Sequence, residues 1–465
     1  MSIDAVMQSP STHHALSAWS ALEKYCKSPL FGQPSGFMST SPYRRPVRPQ
    51  DVSPRLLQSP LRKDELHRPE YLQAQRLLMN GYEQDLVFLP QDDRALNRLD
   101  FDAFYERDNV RHAKFVRPAL ERFTFDWLEQ EVSIGGQWSL AALREYASVV
   151  MADIATGESS VCTALLSSKT PRHAARFFMI QCAGDFLSES SAMGRNVLGN
   201  FGAHTSELFK IMIDEYGYGV HTTKHSSIFE RLMQQMGLSH HVHDYWQFYT
   251  ASSLSLVNYF HYLSANHDNL FRYLGALYFT EASLAHVTKK QSATLKAIFG
   301  QDLDTAYFDE HHHIDKHHGR MALEKLIAPM VEQYGESIVP DVVRGFEELR
   351  LLQDVADEDL CRHLQWHDTL EDHKALAGQL RQHVTHVDQS FEEPQGELSV
   401  PHQHPVDDLF QVQEGAIEIV VSPDKRIELR AGEGLVIPHG LLHGSLVISE
   451  RCRYTVTAVE AGPCK

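Results

Sequence analysis

From Glu65 onward, apolar residues recur at helical spacing, first in ELHRPEYLQAQRLLMNGYEQDLVFL and then, with breaks, to about Leu352. The stretch before it, residues 28–60, is rich in Pro, Ser and Arg and predicts extended chain or loop. Near the C-terminus the period changes to two. IEIVV, RIELR and RYTVTAV alternate and predict strands, with AGEG as a turn. Between these regions the polar, His-rich run DVADEDLCRHLQWHDTLEDHKALAGQLRQHVTH predicts a helical connector. The pattern predicts a multidomain α + β chain: an N-terminal helical region over 1–130, an all-α bundle over 131–352, a connector over 353–395 and a β-domain over 396–465. A chain of 465 residues has ample core for two to four domains.

Chemistry is concentrated in two places. In YFDEHHHIDKHHGRMALEKLIAP, His311, Asp315 and His318 stand at i, i+4 and i+7, so one helix face carries two imidazoles and a carboxylate. That set suits divalent iron or manganese, and a second ion needs carboxylates from facing helices. Glu189 in FLSESSAMGRNVLG, Glu215 and His225 in IDEYGYGVHTTKHSSIFERL, and Glu281 in YLGALYFTEASLAH can supply them. Burying Glu281 unpaired in so apolar a run would be costly, and a cation removes that cost. His225, which leads into a helix, is preferred over His221, which lies beside the glycines of EYGYG. With 28 histidines in the chain, some pairs fall at helical spacing by chance, and a lone HxxxDxxH is more often structural. The four further ligand-type residues in helical contexts reverse that weighting. Glu189, His225 and His318 are assigned to one ion and Glu215, Glu281 and His311 to the other, with Asp315 near both. Asp185, one helical turn before Glu189, is a candidate for holding a ligand in place, or an ordinary surface charge.

In PHQHPVDDLFQVQEGAIEIVV, His402 and His404 alternate toward one face, Asp408 shares their parity, and Gly415 ends a hairpin. Gly432, Pro438, Gly440 and His443 complete G-x5-P-x-G-x2-H. These segments resemble the two half-motifs of the cupins, small double-sheet barrels that hold a metal near the mouth. The resemblance implies His402, His404 and His443 as ligands, with Asp408 where the family has glutamate. A three-His iron site and a metal-free effector pocket both stay open.

A formal net charge of −18 disfavours nucleic acid or an anionic membrane surface as partner and favours a cationic small substrate. No apolar stretch long enough to span a membrane and no signal peptide is read, so a cytoplasmic location is expected. Six cysteines without CxxC spacing give no support to a disulfide framework, zinc ribbon or iron–sulfur cluster. Without a glycine-rich nucleotide fingerprint, reducing equivalents are expected from an external electron donor.

The segments SPYRRPVRPQ, RPALERFTFDWLEQEV, DFLSESSAMGRNVLG, DEYGYGVHTTKHSSIFERL and HIDKHHGRMA resemble the haem-oxygenase-like di-iron oxidases. The fusion to a C-terminal cupin resembles the N-nitrosourea-forming enzymes among them, over nearly the whole chain. PHGLLHG departs most from the pattern, which leaves the second reaction and the final product less defined than the first. The resemblance implies two Fe(II) in the bundle, one in the cupin, dioxygen as co-substrate and a guanidine substrate. The di-iron part would hydroxylate (N-methyl-)L-arginine at Nδ and a terminal nitrogen, and the cupin iron would rearrange the product to an N-nitrosourea. It also implies a homodimer formed through the N-terminal domain. Two alternatives remain: an N-oxygenase whose cupin does no rearrangement, giving hydroxyguanidine, nitro or diazeniumdiolate products, and a non-catalytic metal-responsive binding protein.

Overall fold

The computed structural model describes residues 10–91, 93–199, 202–382 and 386–459. At its centre the Leu270–Phe299 helix packs against two others, Ala306–Met321 and Val339–Asp368. The crossing with Val339–Asp368 is as close as two backbones can come. A Cβ built on Gly275 would lie 1.9 Å from the Val342 carbonyl oxygen, and one on Gly345 would lie 1.9 Å from that of Arg272. Gly345→Ala must therefore push the two helices apart, and overpacking of this kind costs about 1–3 kcal/mol. A thermal melt of that variant should show a lowered Tm; an unchanged Tm would mean that the crossing is looser than this.

Around this core stand Pro171–Phe186, Ala203–Glu215, His225–Gln235 and Ala251–Ala265. Pro69–Glu83 packs on Ala251–Ala265 from the N-terminal side and buries thirteen consecutive residues, Tyr71 to Glu83. The Pro- and Arg-rich segment before it makes only short 3-10 turns, as the composition predicts. It nevertheless buries Leu30, Phe31, Phe37, Tyr43, Val47, Leu56 and Leu61 in the main core. Arg45, fully buried, is held by an ion pair with Glu83, which also contacts His243 at 2.9 Å.

Two features depart from the sequence reading. The Val339–Asp368 helix runs through the boundary placed at 352 without a break, because Leu360 and Leu364 continue its buried face. The stretch Leu140–Ser167 does reach the length and mean hydropathy of a membrane span, contrary to expectation. It is two helices, Leu140–Thr156 and Ser160–Ser167, broken where Gly157 turns extended.

Among the described residues the C-terminal domain has eight strands: β1 Gln389–Pro394, β2 Leu398–His402, β3 Asp407–Glu414, β4 Ala416–Ser422, β5 Lys425–Arg430, β6 Gly434–Ile437, β7 His443–Val447 and β8 Arg451–Val459. The first strand thus begins inside the region read as connector. All pairings are antiparallel, in two four-stranded sheets of order β1-β8-β3-β6 and β2-β7-β4-β5. The two sheets do not close into one hydrogen-bonded barrel, but they enclose a shared apolar core that includes Ile417, Ile419, Val421, Leu429, Leu435 and Ile437. The domain is cupin-like in this sense, a double-sheet fold as the half-motifs imply. It is fastened to the helical body by Arg76, which donates to the Pro401 carbonyl at 3.0 Å, and by Gln403, which donates to those of Leu66 and Arg68 at 3.1 and 2.8 Å.

Candidate metal centres

The bundle brings all seven of its expected ligands together. His311, Asp315 and His318 share the inner face of Ala306–Met321 and are buried, as the spacing predicts. Glu281 faces them from Leu270–Phe299. Glu215 is the last residue of one helix and His225 the first of the next. The chain between them turns tightly at Gly217, whose φ of +57° and close approach to the Thr223 backbone leave no room for a side chain. This is the physical content of the EYGYG motif. Glu189 follows Pro171–Phe186 in a turn where Ser190 takes the left-handed φ of 61°, unusual for a residue with a side chain.

The side chains form two groups, in each of which the donor atoms lie within 4.8 Å of one another: Glu189, Glu215, His225 and His311; and Glu215, Glu281, Asp315 and His318. This differs from the partition read from sequence. Glu215, not Asp315, is the residue common to both. His225 Nδ1 lies 3.1 Å from His311 Nε2 and 2.6 Å from Glu215 Oε2. On the other side, His318 Nδ1 stands 3.3 Å from both Glu215 Oε1 and Glu281 Oε2 and 3.7 Å from Asp315 Oδ1. His221 is exposed and outside both groups.

Several of these buried atoms, Glu189 Oε2, Glu215 Oε2, His318 Nδ1 and both oxygens of Asp315, have no properly directed hydrogen-bond partner. Orphaned donors that converge at such distances fit cations between them better than hydrogen bonds. The charge also fits, because four buried carboxylates balance two divalent ions. Two residues missed at the sequence level hold the imidazoles in place. Asp214 accepts from His318 Nε2 at 3.1 Å, which leaves Nδ1 as the ligand atom. The Tyr307 carbonyl accepts from His311 Nδ1 at 2.7 Å, and the Tyr307 hydroxyl donates to Glu189 Oε1 at 2.9 Å. Adjacency to Glu215 and an i−4 position relative to His311 were the available signals. A π-helical turn, Ala322–Ile327, follows the ligand-bearing helix directly.

Titration follows from this crowding. Burial, with Glu281 beside it, pushes the Asp315 carboxyl up to about 7. Burial alone would lower His318, but Glu281, Asp315 and Glu215 outweigh it and raise the imidazole well above its usual range. His311 is raised in the same way, chiefly by Glu189. Burial, with Glu189 and Glu215 nearby, also pushes Asp185 up to about 7. Ligands must be deprotonated, so Asp315 and the histidines release protons as iron enters, and iron affinity in the bundle weakens as pH falls through about 7. Titration of Fe(II) into the metal-free protein at a series of pH values checks this; affinity independent of pH would contradict it.

The cupin-like domain has a site of three imidazoles instead. Antiparallel pairing of β2 with β7 sets His402 directly opposite His443. His404 lies just beyond the end of β2 rather than on the strand, and still completes the set, with ring centroids 4.6–5.1 Å apart. The Val400 and Leu441 carbonyls accept from Nδ1 of His402 and His443 at 2.9 and 3.0 Å, which leaves each Nε2 as a lone-pair donor. Burial, reinforced by the neighbouring imidazoles, pushes His443 down to about 3 and His402 well below its usual range. Both are neutral at neutral pH, the form that binds a metal. Asp408, the possible fourth ligand, is outside the group: its Oδ2 lies 2.6 Å from His404 Nδ1 without a properly directed hydrogen bond. His439 is exposed and paired with Asp407 at 2.8 Å.

Comparison with known proteins fits this picture. The family model described as iron-containing redox enzyme matches residues 176–353, the span that holds all seven bundle residues. The nitrosourea synthase of Streptomyces achromogenes subsp. streptozoticus is 42% identical over 451 residues, 94% of this chain and 94% of that protein. The chain belongs to the nitrosourea synthase family. A member of that family with an iron redox domain is an enzyme, a non-haem iron oxygenase acting on a small molecule, and the non-catalytic binding protein considered above is ruled out. Iron is the metal that the nitrosourea synthase relationship supports for this chain.

Proposed function

We propose that this enzyme makes an N-nitrosourea from an N-methylated L-arginine by oxidations at two separate centres. Glu189, Glu215, His225, His311, Glu281, Asp315 and His318 would hold two ferrous ions, and His402, His404 and His443 a third. The observation that carries this reading is the presence, in one chain, of two donor sets of different character: a carboxylate-rich pair of groups sharing Glu215, and a trio of imidazoles.

Ferrous iron bound in these sites would supply the electrons that activate dioxygen, with an external donor restoring them. Each N-hydroxylation consumes one dioxygen, two electrons and two protons and releases water. The chain's own part is positioning and exclusion. Asp214 and the Tyr307 carbonyl fix which nitrogens of His318 and His311 face inward. Phe186, Val257, Phe260, Leu277 and Leu284 line the bundle chamber and keep bulk water from it. A guanidinium has a pKa above about 12 and must lose a proton before its nitrogen can attack an oxidant, so a carboxylate-lined chamber suits this substrate. In the second site the backbone carbonyls of Val400 and Leu441 orient His402 and His443.

Val87, Leu89, Leu96, Leu99 and Phe115 are exposed on the N-terminal region, which supports a homodimer formed through it.

The test is mass spectrometry after incubating iron-loaded protein with N-methyl-L-arginine, a reductant and labelled dioxygen. A labelled product containing an N–N bond is expected. A hydroxylated guanidine as the end product would reduce the function to the first oxidation, and no oxygen uptake with any guanidine would overturn it entirely.

A further inference from the structure

We propose that the large cavity beside the paired metal-ligand groups is the amino-acid pocket of the first oxidation, and that Asp185 is the carboxylate that seats the substrate's guanidinium. This rests on the function proposed above. The cavity measures about 460 Å³, within the size range of small-molecule sites. Its wall is shared with the chamber lined by Glu189, Glu215, Glu281 and His311: Asp185, Phe186, Val257, Phe260, Thr280 and Leu284 face both. A molecule in the cavity is one side-chain layer from the metal ligands.

The charge of the lining selects what can enter. Five carboxylates, Asp153, Glu158, Asp185, Asp354 and Asp357, face the cavity against two cations. Both cations are already engaged. Lys290 donates to the carbonyls of Ile154 and Gly157 at 2.7 Å each, and Arg350 pairs with Glu347 at 2.5 Å. The field inside is therefore negative and suits an amino acid with two cationic groups.

Asp185 is distinguished by position and by lack of partners. It lies at the end of Pro171–Phe186, one turn before Glu189, in the wall common to both spaces. Among the described residues the hydrogen bonds from Ser188 to Asp185 end on its backbone carbonyl, and none reaches its carboxylate. It is deep in the protein yet keeps some accessible surface, because it faces the cavity. A carboxylate so placed is costly without a cation, and a guanidinium offers two parallel N–H donors to it. Asp354 and Asp357, three apart on one helix, provide a second negative pole for the α-ammonium group. Apolar side chains including Phe178, Leu256, Phe279 and Leu349 suit the methylenes between. A passage for dioxygen alone would need none of these charges.

The experiment compares full-length, iron-loaded wild type with Asp185→Asn, which keeps shape and removes charge. Binding of N-methyl-L-arginine is followed by calorimetry without oxygen, and the first hydroxylation by oxygen uptake. Asp185→Asn should retain its iron, weaken the binding component and raise KM by roughly 30-fold or more, and lower kcat far less. Discrimination against the uncharged urea analogue should collapse in Asp185→Asn and return in Asp185→Glu. Unchanged KM and unchanged discrimination would overturn the proposal, and so would loss of bundle iron, which would make Asp185 a support for Glu189. A second variant, Val287→Trp, fills the cavity away from the metal ligands and should block binding while iron is retained; undiminished binding there would also overturn it. If binding depends on Asp185 but no nitrosourea forms, the pocket stands and the proposed product falls.

Discussion

Glu215→Ala is expected to abolish the first oxidation by removing a donor from both bundle groups at once. Its Oε2 faces His225 and its Oε1 faces His318, and among the described residues it is the one common to both groups. Loss of a residue that merely supports a ligand costs 10–100-fold, so loss of a shared ligand should cost more than about 100-fold in iron affinity or activity. Metal analysis should show the bundle depleted of iron and the cupin-like domain still loaded. By contrast, Glu281→Ala should spare the group of Glu189, His225 and His311. Equal iron loss in these two variants would mean that Glu215 is not shared.

The second large effect is expected at the other centre. With His443→Ala, two imidazoles remain and the register-paired partner of His402 is gone. Hydroxylation in the bundle should continue at the wild-type rate, while formation of the N–N bond falls to background. Mass spectrometry should then show a hydroxylated guanidine accumulating in place of the final product. Nitrosourea from this variant would place all the chemistry in the bundle and leave the cupin-like domain without a catalytic part.

The elements of both centres were legible in the sequence because helical and strand periodicities are local properties. His311, Asp315 and His318 share a face for the simple reason that 3.6 residues make a turn. Their grouping was not legible. Which carboxylate is shared depends on how Leu270–Phe299 and Ala306–Met321 cross, and crossings are set by packing between distant segments. The connector was read as helical, as it is, but its boundary at 352 was not legible: the buried positions Leu360 and Leu364 carry the preceding helix through it. Asp408 had the right parity for a ligand, and its carboxylate reaches to 2.6 Å from His404 while staying outside the group of three imidazoles. The proline-rich segment predicts irregular backbone, yet nothing in its local pattern announces that Tyr43 and Arg45 are among the most deeply buried side chains of the molecule.

The unbroken Val339–Asp368 helix has a mechanical consequence. Its first turns are clamped to the bundle at Gly345, and near its end His363 accepts from the Leu442 backbone N–H, the residue before His443. From Gly345 to His363, eighteen residues at about 1.5 Å each make a strut of roughly 27 Å between the bundle and the cupin-like domain. A strut cannot fold like a hinge, so under the proposed two-centre function the half-finished molecule would have to make the journey itself, and the time spent in transit would become part of the turnover clock.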